Sequence, residues 1–415
     1  MIIINRLNLI ILVLILSNIS CTKEESEFIE SHIVDYSSAN TIPINVNESR
    51  EVVLSEIFDD IYYIPLETRY DNYIGNFTKI DFKDDLIFIF TGRTLFIYDD
   101  LGNYRHRINI PEGNGPGELI YPEDFIFHPE EMHISVLGFM KINKYTFDGD
   151  LIHEYMLEVS PTKFTISESG DYILFMNNSL FQSNEIKNLG HNLLFMDDLG
   201  EVYHGLFTID PRKGGVGFNI PDNFPVYNGS QYYYSHPDYF IYDISDNEVS
   251  AKYYLDFGNN KIPESFFDNI EIQSQAMFNM QALESGYAGM ISSFYETDHV
   301  LHFNFMVSIT QPALRAFILK SNDYHTIIAE EMINDIDHGL SPIFISRKDN
   351  DLCTLVYAHD LIEKSENIQL ILHDSDLKEY MQREQNLINL TQDMSNDDNP
   401  VLMCGITKEF SMVSN

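Results

Sequence analysis

The sequence predicts an all-β protein, a six-bladed β-propeller whose blades are four-stranded antiparallel sheets. Three observations support this prediction. From about residue 80 onward, short runs of aromatic and β-branched residues alternate with Asp, Asn and Gly, a pattern typical of antiparallel hairpins. One strand–turn–strand segment recurs along the chain. Finally, a strand candidate that precedes the repeats can complete a last repeat that lacks one of its strands.

The recurring segment carries an apolar strand, a turn rich in Asp, Gly or Asn, and a second strand. The residues that align in its five copies are Tyr98, Tyr145, Met196, Tyr242 and Leu319. By subtraction, these positions are 47, 51, 46 and 77 residues apart. A repeat of about 40–50 residues with several short strands has the size of a propeller blade. The sequence therefore predicts successive blades with one insertion in the longest interval.

A helix is expected in that longest interval, over about residues 264–285. Pro263 suits the beginning of a helix, Gly286 suits its end, and apolar residues recur between them at helical spacing. We expect this helix to pack between two blades through its apolar stripe, which is a simpler explanation than a lid over a ligand.

The sixth repeat is interrupted. Its first two strands are expected at residues 343–346 and 352–358. An excursion follows, with a candidate strand at 368–372 and a helix at about 377–390. Residues 400–406 then return as the third strand.

The fourth strand of this blade is expected from residues 61–66, which precede all the repeats. A propeller whose last blade is completed by its first segment has no open edge at the junction. We expect this strand to be buried between neighbours and to end at Pro65. It should place Ile61–Ile64 in the same sheet as Val401–Ile406.

The N-terminus has the features of a secretory signal peptide over residues 1–20. Arg6 precedes an apolar run at residues 7–16, which is too short to span a bilayer as a helix. Ser20 then stands directly before Cys21, and a small residue before a cysteine at this place resembles the cleavage site of bacterial lipoproteins. The resemblance implies that Cys21 becomes the lipidated first residue. The alternative is an ordinary signal peptide with an incidental cysteine.

The residues that follow resemble an export signal. Lys23, Glu24 and Glu25 are similar to the signal of surface-exposed lipoproteins in Bacteroidetes, which implies an outer-membrane protein exposed at the cell surface. Residues 21–50 are polar and lack a periodic pattern, so we expect a flexible tether. The propeller is then expected over residues 51–415.

Four further segments resemble one protein family. They are residues 54–68, 74–80, 113–119 and 398–402. The family is that of the six-bladed β-propeller lipoproteins of Bacteroidetes, which have NHL-like repeats. In the order given, the segments are similar to its entry strand, the step into its first blade, its Gly-rich interblade loop and its final strand. The resemblance implies the fold and the location but no reaction, because propellers host many unrelated activities.

Composition limits the classes of partner. Lys plus Arg number 25 and Asp plus Glu number 64, which gives a net charge of −39. Such a surface repels polyanions, so nucleic-acid binding is not expected. We expect a monomer attached to the membrane through its N-terminal lipid, with a glycan or another surface protein as candidate partner.

Two cysteines remain for the folded part of the chain, Cys353 and Cys404. Both lie in apolar runs. This context favours two small buried side chains over a disulfide, although one disulfide could form between them.

A Gly-rich stretch at Gly113, Gly115, Pro116 and Gly117 invites comparison with phosphate-binding loops, because glycines let backbone N–H groups approach an anion. The detailed pattern differs, since no Lys-Ser or Lys-Thr follows and Pro116 lacks an N–H. We therefore interpret this stretch as a tight connector between blades.

Other polar constellations fit structural roles better than chemistry. The pairs His128/His133 and His299/His302 lack the spacing of zinc ligands on one helix face. Pairs of adjacent acids fit hairpin turns better than catalysis, because a glycosidase needs two acids facing each other across about 5–10 Å. The sequence therefore predicts no catalytic residue, no metal site and no cofactor.

Two functions remain as hypotheses. The first is a non-catalytic binding or interaction module at the cell surface, because no catalytic constellation accompanies the export features. The alternative is a glycan-active hydrolase or lyase whose acids converge in the central pocket of the propeller.

Overall fold

The structure is a computed structural model of the 415-residue chain. It describes residues 29–30, 34–179, 190–213, 216–218, 220–245, 248–269, 274–321, 324–371 and 386–410. These residues form six sheets, each built on a four-stranded antiparallel blade. This architecture confirms the predicted six-bladed β-propeller.

The strands follow one another from the N-terminal segment into the blades. The segment before the repeats forms β1 (Ile29–Glu30), β2 (Asn40–Pro43), β3 (Arg50–Val53) and β4 (Phe58–Pro65). Blade 1 contains β5 (Lys79–Lys83), β6 (Leu86–Phe90), β7 (Thr94–Asp99) and β8 (Tyr104–Asn109). Blade 2 contains β9 (Asp124–His128), β10 (His133–Gly138), β11 (Lys141–Thr146) and β12 (Leu151–Met156). Blade 3 contains β13 (Lys163–Ile166), β14 (Tyr172–Phe175), β15 (His191–Met196) and β16 (Val202–Thr208).

The second half of the ring repeats the same plan. Blade 4 contains β17 (Val226–Tyr227), β18 (Ser230–Tyr233), β19 (Phe240–Ser245) and β20 (Glu248–Asp256). Blade 5 contains β21 (Gly289–Glu296), β22 (Val300–Met306), β23 (Leu314–Leu319) and β24 (His325–Ile333). Blade 6 contains β25 (Ser346–Lys348), β26 (Asp351–Val356), β27 (Val401–Thr407) and β4. Single-turn 3-10 helices lie at Val46–Glu48, Leu54–Glu56 and Gly258–Asn260.

The five aligned residues of the sequence repeat all fall on the third strand of a blade. They lie on β7, β11, β15, β19 and β23, in blades 1 to 5. A third strand is hydrogen-bonded on both edges and covered on both faces by the neighbouring blades, so its residues are apolar along most of its length. In β7, five of the six residues are buried. The repeat period predicted from the sequence is therefore confirmed.

The turn between the third and fourth strands of a blade contacts the fourth strand of the preceding blade. Gly102, in the β7–β8 turn, lies so close to the Pro65 carbonyl of β4 that a Cβ atom would collide with it. Gly149 and Gly200 occupy the same place in blades 2 and 3, and a Cβ there would lie 3.5 Å from Ile108 and from Tyr155. The Asp-Gly and Leu-Gly turns of the repeat are thus interblade contacts.

The N-terminal segment runs along the outside of three blades. β1 pairs in parallel with β16, β2 with β20 and β3 with β24, so each of these blades gains a fifth, outermost strand. The sequence suggested a tether over residues 21–50, but residues 40–43 and the start of β3 belong to the folded body. Ile42 is fully buried while Thr41 and Pro43 are exposed. This alternation is too short to stand out among polar neighbours.

The ring closes as predicted. β4 pairs antiparallel with β27, with Ile61 opposite Gly405 and Ile64 opposite Leu402. One detail of the expectation was wrong, because β4 is the outermost strand of blade 6 and, among the described residues, pairs with a strand on one edge only. Three of its residues, Phe58, Ile61 and Ile64, are nevertheless buried. Phe58 and Ile61 pack against blade 5, where the ring centroids of Phe58 and Phe317 are 6.0 Å apart, and Ile64 packs against blade 1.

Cys353 and Cys404 form a disulfide bond between β26 and β27. The sequence context favoured free buried thiols, and that expectation was wrong. The two residues are directly opposite each other in an antiparallel pair, a register that local composition could not reveal. The bond joins the last strand before the excursion of blade 6 to the strand that follows it.

The expected helix between blades 4 and 5 is present as two short helices, α1 (Phe266–Asn269) and α2 (Gln275–Glu284). Ser274 caps α2 by accepting a hydrogen bond from the Met277 N–H. Phe278 of α2 is buried, and its ring stacks on that of Phe267 of α1 with centroids 5.8 Å apart. The helices therefore pack on the core, as expected.

The excursion of blade 6 is helical where the sequence suggested a strand. Helix α3 (Ala358–Ile371) includes residues 368–371 of the candidate strand. Residues 386–392 are also helical, and the rest of the helix expected at 377–390 lies outside the described residues. Leu361, Ile368 and Leu387 bury one face of these helices against Val401 of β27. Among the described residues, no helix is long and apolar enough to cross a membrane.

Candidate functional site

Several residues singled out in the sequence lie outside the part of the chain that the structure describes. They are Cys21, Lys23, Glu24 and Glu25, together with the whole signal peptide. Their roles in lipidation and export remain predictions.

The Gly-rich loop lies between β8 of blade 1 and β9 of blade 2, and carboxylates of the protein itself occupy its backbone donors. The Gly115 N–H donates to Glu118 at 2.8 Å, and the Gly117 N–H donates to Glu154 of β12 at 3.0 Å. The buried Lys141 ammonium pairs with Glu154 and donates to the Gly115 carbonyl. These contacts hold the loop on blade 2, so its donors are not free to bind an external anion.

The innermost strands of the six blades surround a central channel, which encloses a cavity of about 520 Å³. Its lining combines apolar and aromatic side chains with charged ones. Its lining residues include Lys79, Asp81, Asp222, Val226 and Arg347. A concave site with mixed apolar and polar walls is the usual form of a ligand site in a protein.

A set of hydrogen bonds between blades surrounds this channel. The Ser346 hydroxyl of blade 6 donates to the Ile80 carbonyl of blade 1 at 3.2 Å. The Thr165 hydroxyl of blade 3 donates to Gln231 of blade 4 at 2.8 Å. The Arg347 guanidinium of blade 6 donates to the Val226 carbonyl of blade 4 at 2.5 Å. Such bonds fix the inner strands relative to one another, so the channel wall is preorganised.

One buried ion pair lies at the junction of blades 1 and 2. The Lys79 ammonium donates to Asp124 at 2.8 Å and to the Phe125 carbonyl at 3.1 Å, and the side chains of Lys79 and Asp124 are 15% and 3% exposed. Burial alone would lower the pKa of Lys79, but the nearby charges of Asp124, Asp222 and Asp81 together raise it. Lys79 is therefore a fixed cation in the channel wall.

Asp81 and Asp222 are two carboxylates of this channel for which the described structure shows no ion pair with a basic side chain. Each accepts a nearby backbone N–H, from Phe82 at 2.9 Å and from Phe224 at 2.9 Å. Burial raises the pKa of Asp81, and the charge of Asp222 raises it further, while Lys79 partly opposes this rise. Burial also raises the pKa of Asp222, again opposed by Lys79. The two acids thus share one electrostatic environment around Lys79.

This arrangement can supply two kinds of chemistry. Ionised, Asp81 and Asp222 accept hydrogen bonds from hydroxyl groups of a ligand; protonated, they can also donate. The half-buried aromatic ring of Phe82 offers an apolar face in the same wall. The channel is therefore suited to a ligand that combines hydroxyl groups with C–H faces.

Sequence reasoning did not single out Asp81, Asp222 or Lys79. A usable signal was the alternation of residues 79–83, in which Lys79, Asp81 and Lys83 occupy one side of β5 and the apolar residues the other. Both sides of this strand contribute to the cavity, whose lining includes Ile80 and Phe82 as well as the charged residues. Asp222 precedes β17 outside any strand, and its position near β5 depends on the closed ring.

The other candidates have structural roles. Asp99 and Asp197 accept backbone N–H groups of their own turns, including those of Leu101 and Leu199, which confirms the turn interpretation for these acids. His302 is buried with Nδ1 3.0 Å from the Ala316 carbonyl, and burial lowers its pKa to about 3. Among the described residues, no cluster of three or more His, Cys, Asp or Glu side chains could hold a metal ion.

Comparison with known proteins identifies one family. The model of the family described as "Domain of unknown function (DUF4934)" matches residues 39–405. A search of curated proteins found no match.

Solved structures provide a comparison of the fold. A Bacteroides fragilis protein inferred to be exported is similar over 89% of this chain and 100% of its own, with a TM-score of 0.71 and 16% identity. A Bacteroides caccae protein of unknown function is similar over 41% of this chain and 62% of its own, with a TM-score of 0.28 and 14% identity. The WD40 domain of Pan2 from Neurospora crassa covers 61% of this chain and 64% of its own, with a TM-score of 0.32 and 11% identity. The first of these supports the propeller fold.

Proposed function

This chain belongs to the DUF4934 family, and we propose that it is an exported, lipid-anchored monomer. Its propeller binds a polyhydroxylated ligand, such as a glycan, in the central channel and does not catalyse a reaction of that ligand. The observation that carries this proposal is the pair of channel carboxylates, Asp81 and Asp222, set beside aromatic walls in a preorganised cavity.

Export is supported by three independent features. The N-terminal sequence has the pattern of a signal peptide that ends at Cys21. The Cys353–Cys404 disulfide fits an oxidising compartment outside the cytoplasm. The structurally similar Bacteroides fragilis protein is itself inferred to be exported.

Binding is supported by the way the channel distributes its polar groups. Lys79 is already paired with Asp124, and Arg347 donates to a backbone carbonyl. Both cations therefore stabilise the channel wall. Asp81 and Asp222 retain acceptor capacity beyond their single backbone bonds, because each carboxylate has about four acceptor sites. Sugar hydroxyl groups are the complementary donors, and their ring C–H faces suit the aromatic wall.

The test uses the full-length chain, purified from membranes in detergent, on an array of bacterial and host glycans, followed by calorimetric titration of each hit. We expect saturable binding that Asp222→Asn weakens about tenfold, because one hydrogen bond to a charged acceptor is worth ~1.5–3 kcal/mol. Asp198→Asn, at an exposed turn of blade 3, is the matched control and should leave the affinity unchanged. If no glycan binds, or if both variants bind like the wild type, the proposed site is wrong.

A second candidate function is a glycan hydrolase or lyase in the same channel. It is favoured by one observation, that Asp81 and Asp222 both have raised pKa values, since a raised pKa is what a general acid requires. The same glycan hits distinguish the two functions. Release of new reducing ends or unsaturated products that Asp222→Asn abolishes would establish the enzyme, whereas binding without product supports the proposal above.

A further inference from the structure

We propose that the outer edge of blades 2 and 3 is the surface by which the propeller rests on the membrane. The contact surface consists of Leu151, Ile152, Met156 and Leu199, named the edge patch below. The inference rests on the lipid anchor of the proposed function and adds an orientation: blades 2 and 3 lie at the bilayer, and blade 5 lies away from it.

The first argument is the direction in which the chain enters the propeller. β1 pairs in parallel with β16, with Ile29 opposite His204 and Glu30 opposite Gly205. A parallel partner enters at the same end as its neighbour begins, and β16 begins at Val202. The chain therefore reaches the propeller from the side of the turn that precedes Val202, which is the turn that carries Leu199.

The second argument is the length of chain between the anchor and this entry point. Seven residues lie between Cys21 and Ile29, so the two positions are 29 − 21 = 8 residue steps apart. An extended chain covers at most ~3.3–3.6 Å per residue, so eight residues span less than about 30 Å. Successive strands of the N-terminal segment begin at Ile29, Asn40 and Arg50, so one step between blade edges takes 10 or 11 residues. A lipid on Cys21 is thus held within about one blade of the entry point.

The third argument is that the four apolar side chains of the edge patch are exposed to solvent. Met156 and Leu199 are 71% and 76% exposed, and Leu151 and Ile152 are 39% and 43% exposed. The Leu199 turn and β12 are in contact, since a Cβ on Gly200 would lie 3.5 Å from Tyr155. Ile152 and Met156 are both exposed on β12, whose register with β11 shifts at Ile152. Exposed apolar side chains therefore gather beside the point where the anchored chain arrives.

The edges of the other uncovered blades are built differently. β8 of blade 1 carries Arg105 and Arg107, and β4 of blade 6 carries Asp59 and Asp60. Charges on an edge strand protect it from contact with apolar surfaces. β12 also carries His153 and Glu154, but Glu154 is paired with Lys141 and three apolar side chains of the strand are exposed, which singles out blade 2 among them.

The acidic residues beside the edge patch limit the kinds of membrane surface that it can contact. Asp197 and Asp198 stand in the same turn as Leu199, so anionic headgroups would be repelled from this edge. The patch suits a zwitterionic phospholipid interface, where apolar side chains enter the boundary between headgroups and acyl chains. The lipid supplies attachment, and the patch supplies orientation.

The experiment uses tryptophan fluorescence, because the natural chain contains no tryptophan. Met156→Trp is compared with Ile309→Trp, at a residue of blade 5 that is 50% exposed. Each lipidated full-length protein is reconstituted into phosphatidylcholine vesicles with either ordinary or brominated acyl chains. We expect brominated lipid to quench the emission of the tryptophan at position 156 and to leave that at position 309 unchanged.

A second pair of variants tests the patch itself. Leu199→Asp, added to Met156→Trp, should reduce quenching while the protein still floats with the vesicles. Leu101→Asp is the matched control, because Leu101 is 72% exposed at the equivalent turn of blade 1, and it should leave quenching intact.

Three results would overturn the inference. Equal quenching at positions 156 and 309, or none at either, in protein that floats with vesicles would refute the orientation and leave the anchor standing. Protein that carries no lipid and does not float would refute the anchor and the orientation together. A lipid-insensitive probe at position 156, with a dimer that Leu199→Asp dissociates, would assign the patch to a second copy of the chain.

Discussion

Single glycines at the β-turns of the repeat determine how closely neighbouring blades can approach. Gly102 has φ +83°, and a Cβ there would collide with the Pro65 carbonyl of β4. We expect Gly102→Ala to lower the free energy of unfolding by about 3 kcal/mol, which combines left-handed strain of ~1–2 kcal/mol with overpacking of ~1–3 kcal/mol. Gly229→Ala separates the two effects, because Gly229 has φ +82° and open space around it. If urea denaturation gives equal losses for both variants, the interblade contact contributes nothing.

A second residue-scale prediction concerns the charge of Asp222. Because the folded state raises its pKa, ionising this carboxyl disfavours the folded state, and stability is lost as pH rises from the ordinary aspartate range through the raised value. Asp222→Asn keeps an acceptor for the Phe224 N–H and removes the ionisation. We expect the variant to be more stable than the wild type at pH 7 and equal to it near pH 3.5, measured by urea denaturation. A constant difference across this range would contradict the raised pKa.

At the scale of elements, the N-terminal strands are structural parts of three blades. Ile42 of β2 is fully buried in the core shared by blades 4 and 5. Ile42→Ala should lower the free energy of unfolding by ~2–4 kcal/mol, the usual cost of a cavity at a buried aliphatic site. The neighbouring Thr41→Ala, at an exposed side chain, should change it by less than about 0.5 kcal/mol. If calorimetry shows no loss for Ile42→Ala, β2 is only loosely attached to blade 4.

Elements also show where sequence reasoning succeeds and where it ends. The blades could be predicted because the third strand of a blade is buried on both faces and carries a large apolar or aromatic residue at one recurring position, such as Tyr98 or Tyr145. β2 could not be predicted, because it is buried only through pairing with the edge of β20, which lies more than 200 residues later in the chain. Helix α3 was mistaken in part for a strand because a short apolar run such as that around Ile368 fits either period. The channel acids depended on ring closure, which no local pattern encodes.

The whole molecule is a ring, and blade 6 holds its junction. The Cys353–Cys404 bond joins β26 to β27 across a sequence separation of 51 residues. In the chain-entropy model, a cross-link that closes a loop of this length restricts the unfolded chain and so stabilises the folded protein by ~4 kcal/mol. The double variant Cys353→Ala/Cys404→Ala should lose about that free energy of unfolding. Cys21→Ala, which alters a cysteine outside the sheets, should unfold like the wild type. If the double variant and the wild type have the same free energy of unfolding, the bond does not stabilise the ring.

Closure itself can be tested through Gly405 of β27. A Cβ on Gly405 would lie 2.6 Å from the ring of Phe58, which is fixed between Phe317 and Phe344 and cannot easily move. Gly405→Ala should therefore separate β4 from β27 and cost ~1–3 kcal/mol. Gly190→Ala, with nothing within 4 Å of the added Cβ, is the matched control.

Because every blade packs against two neighbouring blades, opening the junction between β4 and β27 destabilises the entire ring. We expect one cooperative thermal transition at a lower temperature. If amide exchange increases in blade 6 alone while the transition temperature is unchanged, the blades are held by their pairwise contacts and closure is not what stabilises the ring.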